Sequence, residues 1–311
     1  MRYLNPKADL TFKKVFGEHP NLVKSLLNAL LPFDSPEEEI EDLDYLTPEL
    51  VPDTPFKKNS IVDVRCRDKR GRQFIVEMQM LWSPAFMQRV LFNASKAYVR
   101  QLGGTEKYEL LQPVYSLNLV NDIFLPDLAE YYHDYRIVRM AHTDKVIEGL
   151  RFIFVELPKF TPHSYNEKKM QVLWLRYLTE IDEQTNQVPK DLLDNPEIHQ
   201  AVMQIEESAF SDAQLLGYDE FWDAVRVESA LVSDALKEGL AEGRAKGLAE
   251  GRAEGLAEGR AEGLAEGREE GRAEGLAEGR LSTASNLKKM GVAPDTIARA
   301  TGLSFEEIEK L

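Results

Sequence analysis

The chain has 311 residues, 43% of them hydrophobic, with 38 Lys and Arg against 53 Asp and Glu and a net charge of -15. That length allows one large or two modest domains with a real core, and the acidic balance argues against a protein that coats nucleic acid by global charge. A lone cysteine, Cys66, excludes a disulfide framework and cysteine-based zinc sites, no apolar run reaches the roughly 20 residues that span a bilayer, and the N-terminus has no signal-peptide core, so a cytoplasmic protein without membrane contact is expected. In chain order, Asp9 stands where a helix N-cap would, ahead of Phe12, Val15 and Phe16. A second helix is predicted over 21–31 on its leucine stripe, ending near Pro32, and a short strand over 40–46. Two strands follow over 60–67 and 73–80, then a helix over 86–102 carrying Phe86, Val90, Leu91 and Ala94. Residues 113–120 mix Val, Tyr and Leu without charge and read as a buried strand. Strands over 135–140 and 151–156 precede helices near 166–181 and 197–207. This order predicts an α/β core with a mixed sheet.

From Gly239 to Gly279 a glycine falls at every fourth position, in a near-perfect EGLAEGRA octad. The reading divides the chain into a globular domain with a helical extension (1–215), a long glycine-repeat helix (216–280) and a small helical tail (281–311). Glycine costs about 1 kcal/mol relative to alanine inside a helix, and most Glu residues of the repeat meet another Glu four residues on, as Glu250 and Glu254 do. Two outcomes stay open: a helix that associates with its counterpart through 237–280 into a homodimer or higher homo-oligomer, as small-residue stripes permit, and a flexible spacer. In the tail, Pro294 and Asp295 open one helix, Gly302 ends it, and Ser304 caps the next with Glu307 three residues later. That resembles half of a helix-turn-helix, but Glu306, Glu307 and Glu309 sit where a DNA reader needs basic or amide groups, so a capping or partner-binding bundle is expected.

Inside the acidic globular part lies one basic island. Residues 53–107 carry 11 Lys and Arg against five acids. A phosphate backbone responds to charge within a Debye length of about 8 Å, so this island, with Lys57, Lys58, Arg65 and Arg67 as candidate contacts, suits DNA better than the net charge suggests. A solvated charged face is the alternative for each residue.

The predicted hairpin SIVDVRCRDKRGRQFIVEMQM spans this island. Strand alternation places Ile61, Asp63, Arg65 and Arg67 on one face and Val62, Val64 and Cys66 on the other. Ile75, Glu77 and Gln79 share a face of the second strand. A three-residue loop, Lys69-Arg70-Gly71, puts a glycine at the left-handed position of a bulged turn and sets Asp63 opposite Glu77. Facing carboxylates repel across a ladder. A divalent cation such as Mg²⁺ or Mn²⁺ would offset that repulsion, since it takes one or two carboxylates plus waters and phosphate; ion pairing with Arg65, Arg67 or a neighbouring helix would offset it equally. The five histidines show no metal-ligand spacing.

Asp63 followed by Glu77-Met78-Gln79 on the next strand resembles the PD-(D/E)XK nuclease pattern, with Gln79 in place of the final lysine. Together with ADLTFKKVFG, MQRVLFNASKAYVRQL, LQPVYSLNLVN and the glycine tetrads, it resembles the recombination-promoting nuclease (Rpn), transposase-like branch. The resemblance implies a restriction-endonuclease-like mixed sheet flanked by helices, followed by the long glycine-repeat helix. It implies a Mg²⁺- or Mn²⁺-dependent DNA endonuclease with Asp63, Glu77 and the Met78 carbonyl as metal ligands and Gln79 in the water-orienting position. Asp9, as an additional acid or a plain N-cap, and Arg89 or Lys96, as substitutes for the missing positive charge, are supporting candidates. A DNA-binding or assembly protein that kept the fold and lost turnover is the competing class, with Gln79 as its clue; a true transposase would need a second module that the chain does not display.

Overall fold

The computed structural model describes residues 2–33, 35–50, 60–102, 107–162 and 169–311, so Lys57 and Lys58 lie outside the described residues. The chain divides into two units, Met1–Leu231 and Val232–Leu311.

In the first unit, α1 (Asp9–Phe12) runs directly into a wider π turn, Lys13–Gly17. Helix α2 (Pro20–Leu30) opens on a proline at its first turn and buries Leu22, Leu26, Leu27 and Leu30. It stops because Leu31 takes extended dihedrals ahead of Pro32. Then follow β1 (Leu43–Tyr45), β2 (Glu49–Leu50), β3 (Ser60–Ile61), β4 (Val64–Asp68), β5 (Gln73–Gln79), α3 (Pro84–Val99), β6 (Val114–Val120), β7 (Tyr132–Arg139) and β8 (His142–Glu156). Helices α4 (Lys169–Glu180), α5 (Lys190–Leu193) and α6 (Pro196–Gln204) complete the layer before α7 (Asp212–Lys289).

Six strands form one sheet in the order β1-β4-β5-β6-β8-β7, and β2 pairs with β3 separately. The β5–β6 and β6–β8 pairs are parallel and the others antiparallel, so the sheet is mixed. One face, through Cys66, Phe74, Val76 and Leu117, packs on α2, α4 and α6 residues such as Leu26, Trp174 and Ile198. The other face, through Ile75 and Val114, is covered by Ala94 and Ala97 of α3, the crossover helix between two parallel strands. The expected α/β architecture with helices on both faces and a long C-terminal helix is what the chain adopts.

The β4–β5 register matches the three-residue loop: Val64 pairs with Val76, Cys66 with Phe74, and Arg67 with Gln73. Gly71 sits at φ +85, and a Cβ there would come within 3.1 Å of Gln112 Cγ. Asp68 is buried and ties the turn by accepting from the backbone N–H of Arg70 and Arg72 and from Arg72 Nε, at 3.1, 2.9 and 2.7 Å.

Alternation fails at one place. The strand expected over 60–67 is interrupted at Val62 and Asp63. Val62 joins the cluster beneath α3 while Val64 joins the opposite one, so these two residues do not share a face. The bend lets β3 leave the main sheet and pair with β2. Asp63 therefore lies just past the end of the β4–β5 ladder rather than opposite Glu77 within it. The last strand also begins far earlier than expected, at His142, because the β7–β8 ribbon projects with both faces largely exposed and lacks the apolar alternation that marks a strand.

In the second unit, α7 continues through the glycine octads as helix. A Cβ on any glycine from Gly239 to Gly279 would meet no side chain within 4 Å, and Leu240, Leu248, Leu256 and Leu264 stay about 60% exposed. Lys246 and Glu250 form a loose pair at 3.9 Å. The tail forms α8 (Pro294–Thr301) and α9 (Phe305–Glu309), whose Ile297 and Ile308 pack on Ala284 near the end of α7. Gly302 takes φ +73 at the end of α8, and Ser304 with Glu307 makes the complete capping box. No described helix is long and apolar enough to cross a membrane.

Candidate active site

Strand β5 carries Glu77 and Gln79 near its C-terminal end, on the face that α3 covers. Glu77 is 5% exposed, and its Oε1 accepts from Asn93 Nδ2 of α3 at 3.3 Å. Asn93 is itself buried and accepts from Ser60 Oγ at 2.6 Å. At the bend between β3 and β4, Asp63 Oδ2 accepts the backbone N–H of Met78 at 2.8 Å. That bond fastens the bend to β5 beside Glu77. The Met78 side chain packs with the opposite core, which leaves its backbone as the part nearest this edge.

Burial is the largest influence on both carboxyls, and it holds each above its ordinary range. Glu77 is pushed up to about 8, first by desolvation and then by the Asp63 charge; Arg89, Asn93 and Lys13 pull the other way. Asp63 is raised by desolvation and by Asp9, and lowered by the Met78 N–H, Lys13 and Arg89. Two desolvated acids that repel one another retain a proton near neutral pH unless a cation replaces it.

The donor set fits such a cation. Asp63 Oδ2 and Glu77 Oε1 are hydrogen-bonded, while Asp63 Oδ1 and Glu77 Oε2 have no hydrogen-bond partner among the described residues. Two hard oxygen donors suit Mg²⁺ or Mn²⁺, which take one or two carboxylates and complete their shells with waters and phosphate. Among the described residues no group of three His, Cys, Asp or Glu side chains converges.

The remaining sequence candidates separate clearly. Gln79 has both ends of its amide engaged: Oε1 accepts from Arg89 Nη2 at 2.6 Å and Nε2 donates to the Leu81 carbonyl at 2.7 Å. Asp9 is not the N-cap of α1; Ala8 holds that position and Asp9 pairs with Lys13 at 2.6 Å. Lys96 does not join the carboxylates, since its Nζ donates to the Leu50 carbonyl. Along a helix it stands about 10 Å beyond Arg89. Arg65 donates to Gln73 Oε1 at 2.8 Å and to the Thr47 carbonyl at 3.4 Å, and Arg67 is exposed. Three members of the basic island are engaged within the domain: Lys69 pairs with Asp42, Arg70 with the Glu37 carbonyl and Arg72 with Asp68.

Lys13, Asn93 and Ser60 are the residues at this site that sequence reasoning missed. Two of them carry a helical signal: Lys13 follows Asp9 by four residues, and Asn93 follows Arg89 by four on the predicted helix.

A family model described as PD-(D/E)XK nuclease family transposase matches residues 6–234. No curated protein and no solved structure matches the chain significantly.

Proposed function

Because the chain belongs to the PD-(D/E)XK nuclease family of transposases, we propose that it is a metal-dependent endonuclease that hydrolyses phosphodiester bonds in DNA. The observation that carries this reading is the pair of desolvated carboxylates, Asp63 and Glu77, each with one uncommitted oxygen, beside the cations Lys13 and Arg89. Asp63, Glu77 and the Met78 carbonyl would hold Mg²⁺ or Mn²⁺. When bound, such an ion polarises a non-bridging phosphoryl oxygen and makes an attacking water more acidic.

The protein's own contributions follow from the geometry. The Met78 N–H and Asn93 each anchor one oxygen of a carboxylate and so hold the pair in place ahead of the reaction. Water oxygen bonds to phosphorus as the bond to the leaving oxygen breaks; the water gives up a proton, the leaving oxygen gains one, and a phosphate monoester and an alcohol result. Arg67, exposed on β4, offers a sequence-independent contact to the phosphate backbone. Self-association through 237–280 belongs to the same proposal: eleven glycines weaken a lone helix, and its leucines remain uncovered.

The second reading, a DNA-binding assembly protein without turnover, draws on Gln79, whose amide supplies no charge. Plasmid cleavage with Mg²⁺, Mn²⁺ and Ca²⁺ separates the two. The nuclease reading expects nicking with Mg²⁺ or Mn²⁺ that Asp63→Ala and Glu77→Ala abolish. DNA binding without cleavage by the wild type favours the assembly reading, and equal cleavage by all three removes this site from the mechanism.

A further inference from the structure

Gln79 commits one of its two acceptor sites to a guanidinium and one of its two N–H groups to a carbonyl, at 2.6 and 2.7 Å, so its amide is held in one orientation. Arg89 is exposed, its guanidinium carbon lies 4.9 Å from the centroid of the buried Phe86 ring, and no acidic side chain forms a salt bridge with it among the described residues. Lys13 is neutralised by Asp9 and Lys96 is turned to Leu50. Arg89 therefore brings an uncompensated charge to the carboxylates, and both feel it.

We propose that Arg89 is a catalytic cation of this site and that Gln79 is the residue that positions it. The Gln79 amide and the Phe86 ring hold the guanidinium from two sides, so its remaining N–H groups are preorganised for a non-bridging oxygen of the scissile phosphate. Arg89 exchanges no proton. It stabilises the negative charge that grows on phosphorus oxygens as the water bonds and the leaving oxygen departs, while both protons move through solvent. The amide in the family's lysine position thus does not replace the lysine's charge; it anchors an arginine from the next helix that supplies it. This inference rests on the nuclease reading above.

The test compares full-length wild type, Asp63→Ala, Arg89→Ala, Arg89→Lys, Gln79→Ala, Gln79→Lys and the double variant Arg89→Ala/Gln79→Ala, with thermal melts as the folding control. Single-turnover cleavage is measured at saturating DNA, DNA affinity in Ca²⁺, and Mn²⁺ affinity by calorimetry without DNA. Arg89→Ala is expected to slow cleavage about 100-fold, and Arg89→Lys recovers part of the loss. Removing a cation beside the carboxylates should also tighten Mn²⁺ binding, an effect that a merely structural role would not produce. Gln79→Ala is expected to cost about 10-fold in rate and nothing further once Arg89 is gone. Should Arg89→Ala not fold, Arg89→Met, which keeps the contact with Phe86, is the substitute.

Cleavage by Arg89→Ala at the wild-type rate, with Asp63→Ala inactive, overturns this proposal and leaves the nuclease reading standing. Gln79→Lys faster than wild type overturns it as well, because the position would then be open to a lysine acting directly. Absence of cleavage by the wild type overturns the nuclease reading and this proposal with it.

Discussion

Raising the pH from about 6.5 to about 8.5 should tighten Mn²⁺ binding about 25-fold, because the ion must displace a proton from the Asp63–Glu77 pair. The magnitude comes from Glu77, which burial and the Asp63 charge hold at about 8. With that value roughly 3% of Glu77 is ionised at pH about 6.5 and roughly three quarters at about 8.5. The sign is fixed by the direction of the shift: a raised carboxyl keeps its proton at neutral pH, the ion needs the ionised form, and affinity must climb as pH climbs. Titration calorimetry in two buffers of different ionisation enthalpy reads the affinity and counts the protons released. Close to one proton per ion is expected near the lower pH, falling toward zero well above 8. Glu77→Gln removes the titrating group and should flatten the dependence that remains. A pH-independent affinity with no proton release would refute the desolvated pair.

Asn93→Leu strips Glu77 of its side-chain partner and removes the Asn93 Oδ1 that accepts from Ser60 Oγ; Mn²⁺ affinity should fall about 10-fold, and chemical denaturation should show a loss of about 1–3 kcal/mol. Gly71→Ala forces a β-carbon onto a residue at φ +85 and against Gln112, so a thermal melt should show destabilisation of about 1–2 kcal/mol with metal binding unchanged. Truncation after Ala235 removes the glycine octads; light scattering should then show a smaller assembly than the full chain forms, and an unchanged size would separate the octads from self-association.

The hairpin shows where local chemistry suffices and where it stops. A glycine in a three-residue loop set the register, because one backbone position tolerated no side chain. The capping box at Ser304 and Glu307 and the close of α8 at Gly302 were equally legible, each being a contact over a few residues. The bend at Asp63 was not. Alternation assigns Val62 and Val64 to one side, and only the competition of two core clusters, one beneath α3 and one on the opposite face, pulls them apart. Spacing along a helix does exclude Lys96 once Arg89 faces the carboxylates, yet it does not reveal that Leu50 is the acceptor waiting for it. Lys13 and Asp9 reach the site from the opposite end of the domain sequence, a juxtaposition that belongs to the tertiary fold. The engagement of Lys69, Arg70 and Arg72 within and around the turn likewise follows from packing, whereas the count of basic residues gives only a local surplus of charge.

The most direct measurement is the position of the ion itself, from anomalous diffraction of Mn²⁺-soaked crystals of the full chain. A peak between the free oxygens of Asp63 and Glu77, lost in Asp63→Ala, is the predicted result. A fully occupied Mn²⁺ bound elsewhere, with no density beside Asp63 and Glu77, would contradict it.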